Sequence, residues 1–219
     1  MIDRRRALVL TGAAVLATSA YGLWNGNVVA PPLVDIGTAN AQDLPEIEDI
    51  TLGDENAPVK VVEYASYTCP HCASFHNDTF KAFKRDYIDT GKVHFTYREV
   101  FFDRYGLWAS MIARCAGPER YFGVADILYQ SQSEWARQGD PAAVAESLKR
   151  IGAQAGLTPE EADACLQDAA KAQALVAWYE ANVAEDGVRS TPTFLIDGNL
   201  HSGNMSLAQI GALVDEAAS

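Results

Sequence analysis

Cys69-Pro70-His71-Cys72 is the stretch of this chain best equipped for chemistry. An apolar run, Val59 to Ala65, leads into it, and a helical pattern from Phe75 to Tyr87 leads out. A strand that ends on Cys-x-x-Cys and opens a helix sets the first sulfur at a helix N-terminus. Unpaired backbone N–H groups and the helix dipole favour negative charge there. A thiol whose thiolate is favoured is both a nucleophile and a good leaving group, so the motif points to redox chemistry. Its rivals fail on their neighbours. Attachment of a c-type haem needs His directly after the second cysteine, where this chain has Ala73. A structural zinc site draws four ligands from paired motifs, and no second Cys-x-x-Cys exists, so no metal is expected.

The elements that must hold this motif are legible around it. Val59-Lys60-Val61-Val62-Glu63-Tyr64 is β-branched and largely apolar, as a buried strand should be. The helix after the motif should turn Phe75, Phe80 and Phe83 toward the sheet. Lys92 to Val100 alternates Val93, Phe95 and Tyr97 against His94, Thr96 and Arg98, which predicts a second strand. From about Arg104 to Asp186 helix-forming residues dominate, broken at Gly117-Pro118, Gly139-Asp140-Pro141 and Gly156-Leu157-Thr158-Pro159. Four or five helices are expected, one opened by the capping box Thr158-Pro159-Glu160-Glu161. Thr193 to Asp197 predicts a strand, Asp197-Gly198 a hairpin turn, Leu200-His201 a short partner strand, and Ser206 to Ala217 a closing amphipathic helix.

With 219 residues and 48% hydrophobic content the chain can build a sizeable core. Its formal charge is −12, and the first 45 residues, with three Arg and three Asp, contribute nothing to that excess. An acidic body argues against a nucleic-acid partner. Arg4-Arg5-Arg6 followed by an apolar stretch from Ala7 to about Trp24 reads either as a cleaved export signal or as a single membrane anchor. Both readings send the body across a membrane and keep the arginines inside. In an oxidising compartment four cysteines read as pairs.

The order strand, helix, strand, helical block, strand, strand, helix describes an α/β thioredoxin fold interrupted by an all-helical insertion subdomain. Ala57-Pro58-Val59, Glu63-Tyr64-Ala65-Ser66, Cys69-Pro70-His71-Cys72 and Thr191-Pro192-Thr193-Phe194 resemble the DsbA-like family of exported thiol:disulfide oxidoreductases over roughly Ile50 to Ala217. The resemblance divides the chain into a signal or anchor (1–24), a linker (25–48), a first thioredoxin-fold half (49–103), the helical insertion (104–186) and a second half (187–219). It implies that Cys69 is the exposed nucleophile and Cys72 the buried resolving sulfur. Pro70 suits an early helical position, and His71 can add charge or donors near reduced Cys69. Thr191-Pro192 is expected to be cis and to lie against the disulfide, so that Ser190, Thr191 and Pro192 meet substrate backbone. The best-known oxidases of the family carry Val where this chain has Thr191, a residue commoner in isomerases and reductases.

Glu63 has two readings: a buried acid that exchanges a proton with Cys72, as the family implies, or an outward-facing strand residue. His76, His94 and His201 are assigned no role, the first two as surface residues. Cys115 and Cys165 form either a structural bridge across the insertion or two buried thiols. The implied activity is disulfide donation to reduced, newly exported proteins in the periplasm of a Gram-negative bacterium. No dissociable cofactor is needed, and reoxidation would come from a quinone-linked membrane oxidase of the DsbB type. A disulfide isomerase or reductase, and a non-catalytic chaperone for exported chains, are the competing readings.

Overall fold

Strand propensity, helix caps and three glycine–proline punctuations build a single mixed sheet with helices around it in the computed structural model, which describes residues 44–219. The signal or anchor segment and most of the linker lie outside the described residues. β2 (Val59–Ala65) runs parallel to β3 (Val93–Glu99), with Glu63 opposite Tyr97. On its other side β2 pairs antiparallel with β4 (Thr193–Ile196), which pairs with β5 (Asn199–Ser202). β1 (Ile50–Leu52), a strand not anticipated from its short Ile-Thr-Leu run, adds antiparallel to β3, giving the order β1-β3-β2-β4-β5. Asp197 and Gly198 both take positive φ, 42° and 85°, as a two-residue hairpin turn of the primed type requires.

The helix after the motif begins earlier than its apolar pattern suggests. α1 opens as Pro70–Phe75 and continues through a wider π-type turn, His76–Phe80, an α turn, Lys81–Phe83, and a second π-type turn, Lys84–Ile88. Phe75 and Phe80 are five residues apart, about 140° out of register on an α-helix. The wider turn brings both to the core together with His76 and Thr79. The final helix, α8 (Leu207–Ala217), is capped by Ser206 and lies so close to α1 that a Cβ on Gly211 would sit 2.3 Å from the Tyr87 hydroxyl oxygen.

Between β3 and β4 the chain forms six helices rather than four or five: α2 (Arg104–Cys115), α3 (Pro118–Gln130), α4 (Gln132–Trp135), α5 (Pro141–Gln154), α6 (Pro159–Gln167) and α7 (Ala169–Glu185). The breaks that the sequence pattern hides are Ser131, which ends α3, and Asp168, whose carboxylate accepts from Lys171 N–H to cap α7. The Thr158–Glu161 capping box opens α6. The insertion is joined to the sheet by buried polar contacts. Arg114 donates to both Glu99 oxygens at 2.7 and 2.6 Å, Tyr121 donates to Glu99 at 2.8 Å, and Tyr67 donates to Tyr121 at 2.9 Å. Cys115 and Cys165 are bonded, tying the end of α2 to α6 across 50 residues of chain.

Candidate active site

β2 delivers the chain to a tight turn in which Cys69 N–H donates to the Ser66 carbonyl at 3.1 Å. Cys69 then occupies the N-cap of α1 in extended conformation, and Pro70, which lacks an N–H, fills the first helical position. Two elements of the insertion brace this turn. The Gln132 side-chain amide at the start of α4 donates to the carbonyls of Tyr67 and Cys69, both at 2.9 Å. Thr68 donates to Asp103 at 2.8 Å, and Asp103 in turn caps α2 by accepting from the N–H groups of Tyr105 and Gly106.

From the opposite side comes the loop before β4. The Thr191–Pro192 peptide bond is cis, and the Cys69 thiol donates to the Thr191 carbonyl at 3.4 Å. Ser190, one residue earlier, is exposed, and its carbonyl accepts from the Thr193 hydroxyl at 2.8 Å. The structure thus brings Cys69, Cys72, Thr191 and Pro192 together, leaves Pro70 and His71 exposed at the rim, and places Cys115–Cys165 in the insertion. Cys69 is less open than expected. Only 8% of its surface is accessible, with the Thr191 carbonyl in contact with its sulfur, whereas Cys72 has none.

Cys69 and Cys72 are both unbonded thiols here, and their surroundings separate their acidities. The Cys69 thiol is lowered from 9.0 to about 5. The largest cause is a hydrogen bond from the Cys72 thiol, and burial opposes it. Thr191 adds a further hydrogen bond, and the backbone N–H groups of Cys72 and His71 at the helix start add two more. The Thr191 hydroxyl is buried and has no hydrogen-bond partner among the described residues. Of the charge or donors expected from His71, the backbone N–H is the group that meets Cys69, and the residue itself is exposed. The Cys72 thiol is pushed up strongly, first by burial, then by its bond to Cys69 and by the nearby Glu63 carboxyl. One sulfur is held as an anion while its neighbour is held as a proton-bearing donor.

Glu63 is fully buried on β2, so its outward-facing reading is excluded. Its partner is His76, which is also buried and not the surface residue expected from the sequence. His76 Nε2 lies 3.0 and 3.2 Å from the two Glu63 carboxyl oxygens. The imidazole stacks on Tyr129 at 4.2 Å between ring centres, and Tyr129 shares a 2.6 Å hydrogen bond with Tyr97. His76 and Gln132 are the site residues that sequence reasoning missed. His76 stands one helical turn beyond Cys72, but it reaches the core with Phe80 only through the wider π-type turn, which no sequence signal marks.

A thioredoxin family model matches residues 46–216. A Rickettsia bellii protein named as a protein-disulfide oxidoreductase is 35% identical over 170 residues, covering 77% of this chain and 64% of that relative. The chain therefore spans less than two thirds of that relative's length. Among solved structures, alpha-DsbA1 of Wolbachia pipientis superposes with a TM-score of 0.72 at 29% identity, covering 81% of this chain and 94% of the other. A Novosphingobium aromaticivorans chain described as a protein-disulfide isomerase gives 0.68 at 27% identity, covering 76% and 97%.

Proposed function

The chain belongs to the thioredoxin family in its DsbA-like form, and from that premise we propose that it is a thiol:disulfide oxidoreductase that donates the Cys69–Cys72 disulfide to reduced client proteins. A client thiolate attacks Cys69 and forms a mixed disulfide, and the electron pair of the broken bond passes to Cys72. A second client thiolate attacks the client sulfur of the mixed disulfide and releases Cys69 as a thiolate. The client leaves with a disulfide, and the protein is left as a dithiol.

The observation that carries this reading is the preference of Cys69 for its anion, with an acidity near 5 against 9.0 for an ordinary thiol. Stabilising the thiolate stabilises the reduced protein, which makes its disulfide easy to give away. Two units below neutrality correspond to roughly 60 mV of oxidising potential at pH 7. A groove of about 190 Å³ beside Thr191, lined by Val100, Phe102, Tyr179, Val183 and Val188, suits an extended, partly apolar client segment. Phe102 at its edge is 62% exposed. In this reading the clients are newly exported proteins, the compartment is the periplasm, and a quinone-linked oxidase of the DsbB type restores the disulfide.

An isomerase or reductase reading is favoured by one feature, Thr191 before the cis proline, together with the isomerase name of the Novosphingobium neighbour. Cys69→Ser is expected to abolish disulfide transfer to a reduced, cysteine-containing model protein, and full activity in that variant would overturn the oxidoreductase reading. The resting state of the thiols in the cell then separates the two enzymes: oxidised for a disulfide donor, reduced for an isomerase.

A further inference from the structure

A cavity of about 560 Å³ opens between α3, α4 and α5 of the insertion, within the size range of small-molecule sites. Its floor is apolar, made by buried Trp135 and Ile151 with half-buried Ile127. Its polar groups are unevenly satisfied. Ser147 on α5 is only 6% accessible, and its oxygen accepts from Gln138 Nε2 and from the Arg150 guanidinium, both at 2.8 Å. Two accepted bonds occupy the lone pairs of that hydroxyl, and its own O–H has no acceptor among the described residues. The nearby acids Glu146 and Asp163 are taken by Lys149, which leaves Arg150 without an ion pair among the described residues. Glu134 on α4 lines the same cavity and has no ion pair among the described residues either. A cation and an anion thus share one cavity without meeting.

We propose that this cavity binds a small zwitterion of the amino-acid class, either a short apolar peptide or a free apolar amino acid. The ligand carboxylate takes the remaining N–H groups of Arg150, a planar fork that matches two carboxylate oxygens, and the unused O–H of Ser147. The ligand ammonium takes the Glu134 carboxylate. Apolar side chains of the ligand rest on Ile127, Trp135 and Ile151. Gln130 and Gln154, also on the cavity wall, each offer a donor and an acceptor, the pair of groups that a peptide unit needs. They favour a peptide over a single amino acid. A simple anion would meet Arg150 but also face Glu134, so the charge pattern selects a ligand that carries both signs. The walls are tied together in advance. Gln138 donates to the Glu134 carbonyl and to Ser147, both at 2.8 Å, joining the end of α4 to α5. The Trp135 indole N–H donates to the Leu128 carbonyl at 2.8 Å and fixes the floor. The site shares only α4 with the redox centre and does not depend on the disulfide-donor reading.

Isothermal titration calorimetry on the full chain tests this with leucyl-leucine, its N-acetyl form, its C-terminal amide, and leucine. Leucyl-leucine is expected to bind saturably. Each blocked form is expected to bind about ten-fold more weakly, having lost one charge-assisted contact. Arg150→Gln is expected to erase the difference between the peptide and its amide, and Glu134→Gln the difference between the peptide and its N-acetyl form. Both residues are exposed, so neither substitution disturbs the core, and disulfide transfer is expected to be unchanged in both variants. The comparison with leucine separates the two sources: tighter binding of the dipeptide assigns the site to peptides, and equal or tighter binding of leucine assigns it to free amino acids. No saturable heat from any of these ligands up to about 10 mM would overturn the proposal. Equal affinity for free and blocked forms would overturn it too, as would discrimination that survives both substitutions.

Discussion

A single pair of sulfurs three residues apart is made unequal by its surroundings. Cys69 sits where a helix offers free N–H groups, and Cys72 lies one turn deeper beside a carboxyl. The cysteines are legible because Cys-x-x-Cys between strand and helix carries its own mechanism; the cis Thr191–Pro192 bond follows from the family resemblance, and Glu63 stands open between two readings until its burial decides. His76 was not, because a lone histidine on a helix reads as surface until the π-type turn rotates it inward. The same acidity sets a pH dependence of folding. A thiol depressed from 9.0 to about 5 binds fewer protons folded than unfolded, so its contribution is complete above about 9 and is lost as pH falls through about 5. The stability of the reduced protein relative to the oxidised protein should therefore rise between these limits. Paired denaturation curves at several pH values measure it, and a difference independent of pH would contradict the account.

Elements bring these residues together from far apart in the chain. The parallel pairing of β2 with β3 and the antiparallel pairing of β2 with β4 set the ends of three strands side by side, so that α1 and the cis-proline loop meet. Alternation in Val93 to Arg98 and the Asp197-Gly198 turn made two of those strands readable. β1, only three residues long, carries too few side chains to show a period. The breaks at Ser131 and Asp168 lacked glycine or proline, which hid two helix boundaries. α4 is short, yet its Gln132 satisfies two buried carbonyls at the start of the active-site turn. Replacing Gln132 by Ala is expected to destabilise the fold by about 1–3 kcal/mol, as read from urea denaturation. A change within error would mean that the amide braces nothing.

The whole described body is a thioredoxin sheet with a helical insertion closed by its own disulfide. In the chain-entropy view, closing 50 residues between Cys115 and Cys165 stabilises the fold by about 4 kcal/mol. The double replacement Cys115→Ala, Cys165→Ala is expected to lower stability by about 2–4 kcal/mol, seen as a reduced midpoint of thermal unfolding. An unchanged midpoint would remove the bridge from the list of structural supports. The proposed disulfide donation nevertheless reduces to one ionisation. Ultraviolet thiolate absorbance of the reduced protein, recorded against pH, reads that ionisation directly. The account predicts a transition centred near pH 5 that disappears in Cys69→Ser. A transition near pH 9.0, the value of an unassisted cysteine, would contradict it.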